Sequence, residues 1–266
     1  MTLLVGRKVG YIVSFATAVL VSSMGAPAAA QTAEEFGGEV LKARPFVVGE
    51  RLLYAVKVGP LGKGSATAEI TKVDTLRGKR VFHSVFRMNG SLLFFKVNDE
   101  YESWFDPNTF VSLRYRQQID QGSYERNRTY EIFPDRGIYV DPAKGETPTV
   151  EQPLDDGAFL YFLRTIPLQV GKTYTFNRYF KPDRNPVSVT VVRRERIRVP
   201  AGEFDAVVVQ PKIKAKGIFA ENANAEVWIA DNDGRVMLQM RTHMQVGTVS
   251  FQLRSREIVK QAIAER

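Results

Sequence analysis

A repeated two-residue alternation of apolar and polar side chains constrains this chain more than any other feature. In residues 51–58, RLLYAVKV, Leu52, Tyr54, Val56 and Val58 fall on one side and Arg51, Ala55 and Lys57 on the other. That is the period of a half-buried strand. Val111, Leu113 and Tyr115 oppose Ser112, Arg114 and Arg116; Val236, Leu238 and Met240 oppose Gln239 and Arg241; Val249, Phe251 and Leu253 oppose Ser250, Gln252 and Arg254. About six such strands are expected in Arg51–Phe133 and about six in Lys172–Ile258. Short turns join them, among them 77–79, 106–108 and 231–234, so an antiparallel meander is the simplest arrangement; parallel pairs would need crossovers of a dozen residues or more.

One segment departs from the alternation. Asp155-Asp156-Gly157 precedes Ala158-Phe159-Leu160-Tyr161-Phe162-Leu163-Arg164, which is apolar on every side and stopped by Pro167. Acidic residues cap the free N–H groups of a helix start, and Arg164 suits its negative end. The pattern predicts a short helix over Ala158–Arg164, buried because it is apolar all round.

The chain also echoes itself. Pro45-x-x-Val48-Gly49-Glu50 returns as Pro167-x-x-Val170-Gly171-Lys172, Gly78 as Gly202, Trp104 as Trp228, and Leu113 with Gly122 as Leu238 with Gly247. The offset drifts only from 122 to 125 residues. Such order argues for two copies of one β unit of about 90 residues, with the helix in the connection between them.

The first thirty residues read as a secretory signal peptide: Arg7 and Lys8, a mostly apolar run over Tyr11–Leu20, then small residues Ala28-Ala29-Ala30 for cleavage. With no Cys in the chain, neither a disulfide nor a lipid-modified cysteine is available, so a soluble, unanchored periplasmic protein is expected. No later apolar run is long enough to span a membrane as a helix. The expected layout is a signal peptide at 1–30, a loose arm at 31–44, one β-rich domain at 45–258 and a tail at 259–266. Within the domain, repeats at about 45–133 and 167–258 flank a helical connection at 134–166. Without Arg7 and Lys8, 35 of the 37 basic side chains face 29 acidic ones, a net charge of +6. Export makes nucleic acid a poor partner for that charge, leaving an anionic envelope component or simple solubility.

Common catalytic constellations are hard to assemble. His83 and His243 are the only imidazoles, no G-x-S-x-G elbow is present, and neither His sits in a metal-ligand motif. Asp231-Asn232-Asp233-Gly234 opens like a calcium loop but lacks the closing Glu; a hairpin turn with Gly at positive φ accounts for it. Gly59–Ser65 misses the phosphate-loop spacing and precedes a strand. No cofactor or metal is expected. The candidate binding residues are of three kinds. Arg194, Arg196 and Arg198 share one strand face, and Lys212, Lys214 and Lys216 share another, giving a basic strip suited to phosphates or carboxylates. Trp104 and Trp228 share parity with Glu102 and Glu226, which puts both on the less buried face. Arg164, at the end of an apolar helix, is either a dipole partner or a buried guanidinium paired with a carboxylate or a ligand anion.

The signal peptide, Gly49-Glu50-x-Leu52-x-Tyr54, Phe159–Arg164, Pro200-Ala201-Gly202-Glu203-Phe204 and Val227-Trp228-Ile229-Ala230-Asp231 together resemble the exported bacterial family called domain of unknown function 3108. The likeness covers most of Pro45–Arg256. It implies a β-rich, envelope-associated protein and carries no activity with it. The expected fold is all-β: two related antiparallel β repeats forming a curved, barrel-like or sandwich-like body, with one short buried helix in the connection. The expected function is non-enzymatic binding or scaffolding in the cell envelope. The alternatives are a carrier of an apolar or lipid-like ligand in a barrel cavity and, least favoured, an envelope-directed hydrolase.

Overall fold

The computed structural model describes residues 45–60, 62–92, 95–214, 223–244 and 247–259. The expected signal peptide and arm, the tail beyond Val259, and Lys216 lie outside them. Eight strands come first: β1 (Glu50–Val58), β2 (Gly62–Leu76), β3 (Lys79–Leu92), β4 (Phe95–Phe105), β5 (Ser112–Gln121), β6 (Tyr124–Phe133), β7 (Ile138–Asp141) and β8 (Gly145–Pro148). The helix α1 (Asp156–Phe162) follows, then β9 (Thr173–Phe176), β10 (Val187–Val199), β11 (Gly202–Lys212), β12 (Glu226–Ala230), β13 (Met237–Met244) and β14 (Gly247–Ile258).

All fourteen belong to one antiparallel sheet in the order β8-β7-β6-β5-β4-β3-β2-β1-β14-β13-β12-β11-β10-β9. Every chain neighbour within each half is therefore a sheet neighbour, and the halves meet where β1 pairs with β14, Glu50 opposite Ile258 and Val58 opposite Val249. Among the described residues no strand ladder closes the sheet. Its edges, β8 and β9, are four residues each, short enough to offer little to another chain. Between them the segments after β8 and after β9 meet through a single parallel bridge, Leu154 to Tyr179, and through Thr149 Oγ1 donating to the Phe180 carbonyl at 2.6 Å.

Two short strands, β7 and β8, occupy the connection expected to be helical only. Four residues each give too few positions for a two-residue period to stand out. The helix also begins two residues earlier than its apolar run, because Asp155 is the cap: its carboxylate accepts from the Gly157 and Ala158 N–H groups at 2.8 and 2.9 Å. It ends at Phe162, after which Arg164 N and Thr165 N bond back to Tyr161 O and Phe162 O.

Several backbone features recur in the two halves. Gly49 and Gly171 have φ of +85° and +86°, and each donates its N–H at 2.8 Å, to Ile70 O and Val191 O. Immediately after Ile70 and after Val191 the register slips by one residue. A second slip lies beside Trp104 in β4·β5 and beside Trp228 in β12·β13, leaving Leu113 and Leu238 as the extra residues. In the turns before them, Phe110 and Arg235 adopt positive φ, 63° and 40°, whereas Gly234 does not; the Asn232 side chain instead accepts from the Gly234 and Arg235 N–H groups. Bulges of this kind sharpen the local twist and bend the strand.

Paired register defines the faces. Leu52, Tyr54 and Val56, opposite Leu253 and Phe251, lie inward with the core, and α1 packs against β3 and β4 on that side. The helix spans one end of the sheet. Its start is fixed at Ser103 and Ser112, at the end of β4 and the start of β5. Beyond its last turn, Arg164 is fixed at Glu50, where β1 starts, and at the turn before β13.

Candidate functional site

At the helix end the polar groups are consumed by the fold. Asp155 is fully buried; besides its cap bonds it accepts from Ser103 Oγ at 2.7 Å, and its N–H donates to Ser112 Oγ at 2.9 Å. Burial pushes its carboxyl up to about 7. Arg164 is a buried guanidinium paired with Glu50 at 2.6 Å, and it also donates to the carbonyls of Pro45, Gly234 and Arg235. Glu50 holds Arg256 as well, at 2.9 Å. This lock ties the connection to β1, β14 and the turn before β13.

On the outer face the two Trp residues do not stand out as free platforms. Trp104, half-buried, stacks on His83 with centroids 4.3 Å apart and planes 9° apart, and the Arg114 guanidinium lies 5.4 Å from its ring centroid. His83 stands between Thr71 Oγ1 at 3.1 Å and Glu102 at 2.8 Å, and Arg116 takes the other oxygen of Glu102. Burial lowers the imidazole pKa against the pull of Glu102. The order hydroxyl, imidazole, carboxylate has the form of a hydrolytic relay. Here, however, the carboxylate is shared with an arginine and the ring face is covered by Trp104, so the group reads as a packed outer-face cluster. Trp228 corrects the expectation of a less buried position: it is only 2% exposed. Arg241 and Arg193 lie over its ring, and its N–H donates to Glu195 at 2.5 Å. Long charged side chains cover it, which parity along a strand cannot show.

Arg194, Arg196 and Arg198 do share a face, the one that carries Asp205 and Val207, but Lys212 falls on the opposite face, and the three arginines are largely neutralised. Arg194 pairs with Asp231 at 2.8 Å, and Arg196 and Arg198 both reach Glu203. Lys212 and Lys214 are exposed and make no ion pair among the described residues. His243 bonds Thr248 at 3.0 Å on the surface.

The inner face away from the helix has a different character. Val58, Phe86, Met88 and Tyr101 lie only half-buried there, beside the buried Phe251. The Phe86 ring centroid is 6.3 Å from that of Tyr101 and 6.2 Å from that of Phe251. Small residues opposite them, Gly64, Ala66 and Ala68 on β2, leave the space these rings use. Polar groups frame this patch. Asp99 accepts from Gln121 Nε2 at 2.7 Å, Asp120 N at 3.1 Å and Tyr101 Oη at 3.4 Å, and burial raises its pKa. Nearer the bridge between the sheet edges, Asp156 accepts from Tyr115 Oη at 2.8 Å and Tyr179 Oη at 2.9 Å. Tyr130, Tyr139 and Phe180 surround the Lys181 ammonium, which is 4.2 Å from the Tyr130 ring centroid. Burial alone would raise the Tyr130 phenol; Arg128 and Lys181 outweigh it and hold the pKa below its usual value. None of the residues forming this patch was a sequence candidate. Alternation marks two faces and does not say which one closes on itself.

Beside the helix end lies an open groove of about 780 Å³ with Phe46 and Phe82 at its floor and Lys79, Arg80 and Asp106 at its rim. Among the described residues no helix is long and apolar enough to cross a membrane, and no group of three or more His, Cys, Asp or Glu is placed to hold a metal ion.

Comparison with known proteins gives the fold a relative. A crystal structure of a beta-barrel-like protein of the domain of unknown function DUF1849 from Brucella abortus is similar over 80% of this chain and 99% of its own, with a TM-score of 0.53 at 10% identity. A hypothetical protein of Chlamydia trachomatis superposes more loosely, with a TM-score of 0.34 at 8% identity over 82% of this chain and 90% of its own. No curated protein matches the sequence. The model of the family described as protein of unknown function (DUF3108) matches residues 53–254, so the chain belongs to that family.

Proposed function

We propose that this chain is an exported, non-enzymatic periplasmic binding protein, built of two copies of one β unit, that carries an apolar, lipid-like ligand against the inner face of its sheet. The observation that carries the reading is the half-buried set Val58, Phe86, Met88 and Tyr101. Around the helix the inner face is largely filled by α1 and by its own side chains, and the groove at Phe46 and Phe82 is rimmed by the charged Lys79, Arg80 and Asp106. At Phe86, Met88 and Tyr101 an aromatic ring, a thioether and a phenol face inward and stay partly exposed, the make-up of an apolar ligand site with a few polar groups beside it. Residues 1–30 support export, and the recurring glycines and bulges support duplication. Scaffolding of an anionic polymer through basic residues is the weaker reading, because Arg194, Arg196 and Arg198 spend their charge on Asp231 and Glu203. Lys212 and Lys214 are the basic candidates left without an ion pair among the described residues.

Native mass spectrometry of protein purified from its own host tests this. A co-purifying apolar molecule is expected, and it should be lost from the Phe86→Asp, Met88→Asp double variant while Lys212→Gln, Lys214→Gln protein keeps it. Empty protein that instead binds an anionic polymer in a salt-sensitive, lysine-dependent way would overturn the carrier in favour of the scaffold.

A further inference from the structure

Arginines on the outer face of this sheet are matched one after another by carboxylates. Arg51 pairs with Glu69, Arg87 with Glu100, Arg114 with Glu131, Arg116 with Glu102, and Arg241 with Glu226, at 2.5 to 3.0 Å. The inner face of β6 breaks this rule. Arg126 lies opposite Ile119 and Arg128 opposite Gln117, so both share the face of the buried Tyr115 and Tyr130. Both are half-buried. Neither has a carboxylate within ion-pairing distance among the described residues, and the hydrogen bond Arg128 makes is a long one, 3.5 Å to Tyr130 Oη. The acids on the same face are already satisfied by neutral donors: Asp99 by Gln121, Asp120 N and Tyr101, Asp156 by two phenols, and Asp141 by Ala143 N. Two guanidiniums are thus partly withdrawn from water beside a partly exposed apolar patch, with no carboxylate at ion-pairing distance among the described residues; Asp141 acts on Arg128 only from beyond that distance. Arginine presents a planar fork of donors that fits carboxylate and phosphate oxygens, and such a pair gains strength as water is excluded.

Resting on the carrier reading, we infer that the ligand is an anionic amphiphile whose chain lies on Phe86 and Met88 and whose single carboxylate or phosphate head is held by Arg126 and Arg128. Tyr101, which pairs with Gln117 across the sheet, stands between the two subsites. The five outer-face arginines named above, with their charges already paired, would not compete for the head.

Isothermal titration with dodecanoate, dodecyl phosphate and the uncharged dodecyl maltoside, all below their micellar concentrations, separates the parts of this inference. At least one of the two anions is expected to bind tenfold or more tightly than the maltoside, and the better of the two identifies the head. In Arg126→Gln, Arg128→Gln protein that preference should fall to within about twofold while the maltoside affinity is kept; Arg87→Gln, which removes a paired outer arginine, should change neither. Both arginines are partly exposed, and unchanged far-ultraviolet circular dichroism and melting temperature would establish that the double variant folds. Equal binding of all three probes, or an anion preference that survives the double variant, overturns the anionic head and leaves the apolar carrier standing. If none of the three binds, the carrier reading falls with it.

Discussion

At the scale of single residues, the buried charges divide into those that lock the fold and those without an internal partner. Glu50 and Arg164 are 1% and 3% exposed, and every polar atom around them is engaged. Their cost of desolvation is met by mutual attraction and by three carbonyls. Asp155 is a different case, a buried acid among neutral donors. Its folded-state pKa of about 7 lies above that of an unfolded Asp, so the native state holds its proton more tightly. Its contribution to stability is therefore full below about pH 4 and lost as pH rises through about 7, at a slope of up to ~1.4 kcal/mol per pH unit across that window. Asn caps a helix as well as Asp does. Asp155→Asn is expected to fold and to flatten the decline in urea-unfolding free energy between about pH 4 and 7; identical slopes in the two proteins would show that Asp155 does not titrate there.

At the scale of elements, strands are made by alternation and bent by a few special backbones. Gly49 is needed twice over. Its φ is +85°, and a Cβ there would stand 2.3 Å from the Val259 carbonyl oxygen, against the end of the β1·β14 seam. Gly78, at φ +75° in the β2–β3 turn, has nothing within 4 Å of that position. Gly78→Ala should lose only the left-handed penalty of about 1–2 kcal/mol, while Gly49→Ala should lose clearly more, because carbonyl and strand must move apart. Equal losses by chemical denaturation would mean that the seam yields freely. The alternating patterns in Arg51–Phe133 and Lys172–Ile258 correspond to six strands in each region, β1–β6 and β9–β14. The helix was legible too, since Asp155 supplies a cap and the following residues have no polar side. What escaped was the short pair β7 and β8, and the burial of Trp228 beneath Arg193 and Arg241.

For the whole molecule, the meander starts in the middle of the sheet, runs out to one edge, crosses with α1 and returns from the other edge. β1 is thus an interior strand only because β14, some 200 residues later, lies against it. A chain ending after Phe133 would keep six strands but expose β1 as a long, flat edge and lose α1, whose buried Phe159, Tyr161 and Phe162 fill the centre. It is expected to lack a cooperative thermal transition and to associate, as followed by calorimetry and sedimentation. A stable monomer with a sharp transition would mean that each half folds alone.

The sequence by itself determined the class of the fold, the twelve strands of the two alternating regions and the capped helix, because each depends on residues close in the chain; the left-handed position expected at Gly234 falls at Arg235 instead. The tertiary structure decided which of two alternating faces turned inward, and with that the standing of every charge. Arg126 and Arg116 look alike along their strands. Arg116 has Glu102 beside it and Arg126 has no such partner among the described residues, a difference made by strands meeting across the sheet and by curvature that carries one face away from water.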